Sequence, residues 1–358
     1  MKIKSVRPYL KNLALTKPYT IAYSTFSDVS LVFLEIELEN GIIGIGSASP
    51  AEEVIGENSQ QTLLNLETEF VQNLVGRDIR HFQQIIFETH QQFPNLAGTQ
   101  AAIDLALHDA FGKFLDVPIV AFYGQKIKYL PTSVTIGIMN VTETLEEAEN
   151  YFKLGFKVLK VKTGINVDED IEKVIRLNEI YKNNLKIRVD ANQGYSLIDL
   201  QKFLTETKKN GIELIEQPLK VGKEATLLQI DAQYRKLLTG DESLKNAKAA
   251  LQFSSQPQPY GVFNIKLMKC GGIMGALEIA TIAQNAEIDL FWGCNDESIA
   301  SITAALHVAY ACKNTRYLDL DGSFDLAEDL VSGGFILENG YLKINNKAGF
   351  GFKKTNIF

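Results

Sequence analysis

Cysteine, histidine and tryptophan are scarce in this chain of 358 residues, which has three, four and one of them. Cys270, Cys294 and Cys312 are odd in number and lack metal-ligand spacing, which argues against a disulfide framework and against a Cys/His metal site. His81, His90, His108 and His307 fall on predicted helices and read as structural. There is no Gly-x-Ser-x-Gly elbow, no phosphate loop and no Cys-x-x-Cys pair. Basic charge is also lacking. Lys and Arg number 36 against 43 Asp and Glu, a net charge of −7, so no basic stripe exists to meet nucleic acid. No apolar run is long enough to cross a bilayer, and residues 1–15 lack the apolar stretch of a signal peptide. A cytoplasmic protein with no membrane partner is expected.

What is present is a large apolar fraction, 46%, enough for two domains or one large barrel with an appendage. The first third reads as α+β. Ser30–Leu38 and Gly41–Ala48 are strand-like runs around Glu39-Asn40-Gly41, a hairpin signal. Helical periodicity then runs from about Gln60 to Leu115 and stops near Pro118. From about Ser133 short β-branched runs alternate with amphipathic helical runs, and eight strand candidates can be counted. Strands separated by helices imply right-handed βαβ units and a parallel sheet. A doubly wound open sheet would also alternate in this way, but eight units and the lack of a Gly-rich phosphate loop after the first strand favour closure into a barrel.

Polar residues sharpen this pattern. Thr135, Lys160, Asp190, Glu216, Asp241, Lys266, Cys294 and Asp319 lie at or near successive strand ends, at intervals of about 25 to 30 residues, the length of one βα unit. Each polar side chain therefore arrives at the same barrel mouth, the end that carries chemistry in such folds. Asp190, Glu216 and Asp241 end three consecutive strands about 5 Å apart. Three carboxylates that close repel each other unless a cation sits among them, and hard oxygen ligands suit Mg²⁺. The bland alternative, three acids that merely solvate strand ends, requires a coincidence in three consecutive units.

Lys160 and Lys162, two apart on one strand, share a face. Their apolar neighbours Val158, Leu159 and Val161 favour burial over surface charge. Lys266 ends the sixth strand, across the barrel from the second. Lysine near another cation holds its proton less tightly, which suits it to act as a base. Lys269, just past that strand, reads as a residue of the loop. Asp319 and Asp321 again share a face. Their spacing alone allows either a site for a cationic group or a polar strand end before Gly322.

The order Lys160-Val-Lys162, Asp190-Ala-Asn192, Glu216-Gln-Pro218, Gly240-Asp241-Glu242-Ser243 and Lys266-Leu-Met-Lys269-Cys-Gly271-Gly272 resembles the enolase superfamily, in its muconate-lactonizing-enzyme subgroup. Ala101–Lys113 is similar to a helix of that family's capping domain. The resemblance implies a modified (β/α)7β barrel of TIM type over 126–322, an N-terminal α+β capping domain over 1–125, and a C-terminal segment, 323–358, that returns to it. It implies Mg²⁺ on Asp190, Glu216 and Asp241, Lys162 and Lys266 as an acid/base pair, and Lys160 beside a substrate carboxylate. Asp319-Leu-Asp321 resembles the Asp-x-Asp motif with which dipeptide epimerases hold a free ammonium. Thr135, Cys294 and Ser24 are expected around the substrate.

Two departures bear on selectivity. Ala-Glu epimerases carry an arginine in the mobile loop near position 24, where this chain reads Ile21-Ala-Tyr-Ser24-Thr25. A small or apolar second residue is therefore expected in place of glutamate. Asn295 and Asp296 follow Cys294 where a methionine is usual. The same scaffold leaves o-succinylbenzoate synthase and N-acylamino acid racemase open, as well as a metal-binding paralogue without activity. A homo-oligomer is expected.

Overall fold

The computed structural model describes residues 1–21 and 24–355, with side chains described for all of these except 17–26. Three antiparallel strands open the chain: β1 (Ile3–Ile21), β2 (Ser24–Leu38) and β3 (Ile43–Ala48). The β2–β3 hairpin turns where Gly41 adopts φ +84°. On this sheet lies the helix Ala97–Leu115, buried on every side from Ala97 to Gly112, as an apolar stretch with little amphipathicity must be. The contact is closer than side chains would permit. A Cβ on Gly44 would stand 2.3 Å from the Ala106 carbonyl, and one on Gly46 2.0 Å from that of Ala102. Bare glycines on the strand and alanines on the helix allow this approach.

After a short strand, β4 (Tyr129–Pro131), comes the repeating part. Eight parallel strands follow in chain order: β5 (Val134–Ile136), β6 (Val158–Lys162), β7 (Lys186–Asp190), β8 (Leu214–Glu216), β9 (Leu238–Gly240), β10 (Val262–Ile265), β11 (Asp289–Trp292) and β12 (Thr315–Leu318). A parallel bridge between Thr132 and Leu318 closes the ring, aided by Ser133 N donating to Leu318 O at 2.9 Å. Outer helices start where the sequence supplies caps. Asn140, Asn166, Ser196, Asn246 and Ser298 each accept a backbone N–H of the first turn, which satisfies donors that a helix start leaves unpaired. One unit departs from the pattern: between β8 and β9 the chain forms only the 3-10 turn Glu224–Gln229 and the short helix Ala232–Arg235. Gly222 and Asp231 interrupt that segment before a longer amphipathic face can develop.

The floor of the barrel combines apolar side chains with a buried arginine. Leu214, Val262 and Phe291 cluster there. Arg188, two residues below Asp190 on the same strand face, stands over the rings of Phe291 and Tyr317 and donates to Leu318 O at 2.5 Å. After β12 the chain leaves the barrel and returns to the first sheet. Thr16 N donates to Asp325 O, Ala327 N to Ala14 O, and Lys354 pairs with the buried Glu35 at 2.5 Å. Strands β13 (Val331–Gly333), β14 (Phe335–Glu338), β15 (Tyr341–Ile344) and β16 (Phe352–Lys354) complete the fold, with β15 paired to β4. Among the described residues no helix is long and apolar enough to cross a membrane.

Candidate active site at the barrel mouth

Strand register brings the predicted residues together. Thr135 is opposite Lys160, Lys162 opposite Asp190, and Asp190 opposite Glu216. Asp241, Lys266 and Asp319 each lie one residue past the ends of β9, β10 and β12. Lys162 on β6 and Lys266 after β10 are four strands apart in a ring of eight, hence on opposite walls. Glu216 and Asp319 occupy the two quarters between them.

Every carboxylate here is buried. Asp190, Glu216, Asp241 and Asp319 are exposed by 2% or less. Lys162 Nζ lies 2.7 Å from Asp190 Oδ2 and 2.7 Å from Asn192 Oδ1. Lys266 Nζ lies 2.9 Å from Asp241 Oδ2. Lys160 donates to Asp319 and stands 3.9 Å from both Asp190 and Glu216. Burial alone would lower the pKa of Lys160, but Asp319, Glu216 and Asp190 overcome it and hold the amine charged. For Lys266, burial is likewise outweighed by Asp241 and Glu216, so its pKa is raised. The sequence-based expectation of a loosened proton on Lys266 concerns an amine beside a cation, and the neighbour of its amine here is the Asp241 carboxylate. Burial and the charge of Asp190 push Glu216 well above the usual carboxylate range.

The donor set fits a hard cation in chemistry. All three expected ligands offer oxygen only. Glu216 Oε2 is buried without a hydrogen-bond partner, and an atom in that position is costly unless something pairs with it. Six carboxyl groups, those of Asp190, Glu216, Asp241, Glu242, Asp319 and Asp321, also face the four amines of Lys160, Lys162, Lys266 and Lys269. Spacing is another matter. Among the described residues no three Asp, Glu, His or Cys side chains converge tightly enough to enclose an ion. The amines of Lys162 and Lys266 stand on Asp190 and Asp241 instead.

Asp319 accepts from Ser133 Oγ at 2.6 Å besides Lys160, and Asp321 accepts from Thr135 N at 2.8 Å. Thr135 therefore reaches the site through its backbone. Cys294 Sγ lies 3.2 Å from Asp319 O and 3.8 Å from Asp321 Oδ1, against the acidic pair. The side chain of Ser24, and all of Ala22 and Tyr23, lie outside the described residues. Asn295 and Asp296 tie the loop after β3 to the mouth: Asn295 Nδ2 donates to Ser49 O at 2.9 Å and Ser49 Oγ to Asp296 O at 2.7 Å. Ala51, Val54 and Ile55 of that loop line a small cavity with Asp241, Lys266 and Lys269. All four histidines lie away from the mouth on helical segments, with His108 and His307 fully buried.

Three participants escape a reading of the sequence. Lys269 is buried and bonds the side chain and backbone of Asp241, so it serves the site rather than the loop. Asn264 donates to Glu216 Oε1 at 2.5 Å; its position two residues before Lys266, on the same strand face, is a signal that could have found it. Glu242 is buried beside Asn192 and Gln193.

Residues 143–355 match the model of the enolase C-terminal domain-like family, and residues 5–124 that of the mandelate racemase / muconate lactonizing enzyme N-terminal domain. The chain is 49% identical to an L-Lys-D/L-Arg epimerase of Desulforapulum autotrophicum, covering 99% of this chain and 100% of that protein. It is 34% identical to a hydrophobic dipeptide epimerase of Enterococcus faecalis, covering 98% and 99%. A crystal structure of a dipeptide epimerase from Methylococcus capsulatus, complexed with Mg and the dipeptide L-Arg-D-Lys, superposes with TM-score 0.96 at 43% identity, covering 98% of this chain and 99% of that one.

Proposed function

Since the chain belongs to the mandelate racemase / muconate lactonizing enzyme group of the enolase superfamily, we propose that it is an isomerase, a Mg²⁺-dependent dipeptide epimerase that inverts the α-carbon of the second residue. The observation that carries this reading is the pair Lys162 and Lys266, on opposite walls of one barrel, each beside a buried carboxylate. Asp190, Glu216 and Asp241 would hold the ion. When bound, Mg²⁺ acts as a Lewis acid on the substrate carboxylate and offsets the charge that develops there as the α-proton leaves.

The protein's own groups do the rest. Lys160, held charged, faces the substrate carboxylate. One of Lys162 and Lys266, neutral, removes the α-proton from its face, while the other, protonated, returns one to the opposite face. Asp319 and Asp321 take the free ammonium of the first residue and so fix the register of the peptide. For that, Lys160 must exchange Asp319 for the substrate carboxylate.

We further propose that cationic dipeptides are preferred. The absence of a positive charge at 21–25 disfavours an acidic second residue, and it suits a cationic one as well as an apolar one. The loop 49–58 over the mouth carries Glu52 and Glu53, both exposed, and no Lys or Arg. The relative with 49% identity is named for Lys and Arg, and the Methylococcus capsulatus enzyme was crystallised with L-Arg-D-Lys. The test is deuterium uptake at the second residue in D₂O, across dipeptides with cationic, apolar and acidic second residues and N-succinyl amino acids. Uptake fastest in L-Xaa-Lys or L-Xaa-Arg supports the reading. Preference for apolar residues removes the cationic claim, and preference for succinyl compounds removes the dipeptide claim.

A further inference from the structure

The segment Asn264–Lys269 does more than supply Lys266. Asn264 and Lys266 share a face at the end of β10, and Lys266 is the N-cap of the short helix Leu267–Cys270. Lys269 N donates to Lys266 O at 2.9 Å, so the turn brings Lys269 back beneath Lys266. Each of these three side chains reaches a carboxylate: both lysines that of Asp241, after the adjacent β9, and Asn264 that of Glu216, two strands away on β8. Asn264 Nδ2 takes Glu216 Oε1 at 2.5 Å, and the other oxygen, Oε2, is left without a hydrogen bond. Lys269 Nζ takes Asp241 Oδ1, the Asp241 carbonyl at 2.6 Å and the Asn264 carbonyl at 3.1 Å. Lys266 stands on the other oxygen, Asp241 Oδ2.

We propose that Asn264 and Lys269 are positioning residues. Each ties down one oxygen of Glu216 or Asp241, so that the second oxygen is the one left for the ion: Glu216 Oε2 directly, and Asp241 Oδ2 once Lys266 releases it. This rests on the Mg²⁺ reading above. The two clamps also hold each other, since Lys269 bonds the Asn264 carbonyl. Gly293 leaves room for the amide on its far side: a Cβ there would stand 2.6 Å from Asn264 Oδ1. A role in stability alone explains this poorly. Burying an ammonium against a carboxylate is costly, and replacing such a whole pair by apolar residues of similar volume is often neutral for stability. Groups that orient metal ligands, in contrast, typically change metal affinity or activity by 10- to 100-fold when removed.

The experiment is Mg²⁺ titration by calorimetry on the wild type, Asn264→Ala and Lys269→Met, with the melting temperature of each metal-free protein measured alongside. Lys269→Gln serves as the second variant at that position if Lys269→Met does not fold. The expected result is a dissociation constant raised about 10- to 100-fold in each folded variant. The Mg²⁺ concentration for half-maximal epimerisation should rise in step, with kcat largely restored at saturating Mg²⁺. Wild-type affinity in a folded variant overturns the assignment for that residue. A wild type that takes up no Mg²⁺ overturns the metal reading itself, and the two failures are thereby distinct.

Discussion

Lys162 and Lys266 project from strands four places apart in the ring, and each amine rests on a different carboxylate, Asp190 at 2.7 Å and Asp241 at 2.9 Å. Neither lysine contacts the other's partner, so the two can act independently from opposite faces of one carbon. Lys162→Ala and Lys266→Ala should each lower epimerisation by about 10²- to 10⁴-fold, the usual contribution of a positioned acid or base. Each variant should still exchange the α-proton of at most one substrate enantiomer, read by mass spectrometry in D₂O. Exchange of both enantiomers by either variant would show that its lysine is dispensable.

Asp321 gives the reaction a pH signature. Burial, followed by the charge of Asp319, raises its carboxyl pKa to about 7. Only the ionised form attracts an ammonium. Binding of a free dipeptide should therefore strengthen as pH rises through about 7, then weaken above about 8 as the substrate amine loses its proton. Asp321→Asn should remove the rising limb and lower kcat/KM by about 10- to 100-fold, the worth of a charged hydrogen bond. For folding the sign is opposite. The native state binds this proton at higher pH than the unfolded chain does, so Asp321 costs stability as pH rises from about 4 to 7. A kcat/KM profile for Asp321→Asn that matches the wild type would refute the assignment.

Removal of the metal tests the charge balance of the mouth. Treatment with a chelator should abolish turnover, and added Mg²⁺ should restore it. Mg²⁺ should also raise the melting temperature, because it binds the native state alone. Turnover that survives exhaustive chelation would end the metal reading.

The strands of the barrel were legible because each ends in one polar residue and the interval between such ends is the length of a βα unit. Period alone carried Thr135, Lys160, Asp190, Glu216, Asp241, Lys266, Cys294 and Asp319 to one mouth. What period cannot carry is the partner of a side chain. Lys269 follows the strand by three residues, and only the turn that starts at Lys266 folds it back onto Asp241. Likewise, nothing local in Lys160 announces that it bonds Asp319, 159 residues away, in place of standing clear. The 19-residue β1 was hidden for a related reason: Pro8, Pro18 and several lysines blur its alternation, and its pairing with β2 supplies what propensity does not.

His307 should make the protein sensitive to acid independently of the active site. It is fully buried, packs edge-on against Phe350 and accepts from Val120 N at 3.1 Å. Burial lowers its pKa to about 3, against about 6.5 in an unfolded chain. The unfolded state then binds the extra proton below pH 6.5, so stability present above that pH is lost progressively toward pH 3. Between pH 7 and pH 5 this amounts to roughly 2 kcal/mol. Urea unfolding at the two pH values should show a smaller loss in His307→Gln than in the wild type, and equal losses would refute the claim.

Asp104 links the first domain to the turn that carries Lys266. From the buried helix Ala97–Leu115 its carboxylate accepts from Ile273 N and Met274 N, each at 3.1 Å, and caps the helix Ile273–Asn285. Its other neighbour is His108 Nδ1 at 2.9 Å. Gly272, at φ +96°, makes the contact possible, since a Cβ there would stand 2.6 Å from Asp104. Asp104→Ala removes a cap from outside the helix and leaves two buried N–H groups unpaired, a cost of about 2–4 kcal/mol. The same loss frees the chain between Lys266 and Gly272, so kcat should fall while the KM for the dipeptide changes little. Asp104→Asn keeps one acceptor and should recover part of both effects. If stability falls while kcat is unchanged, the helix supports the barrel without positioning its lysine.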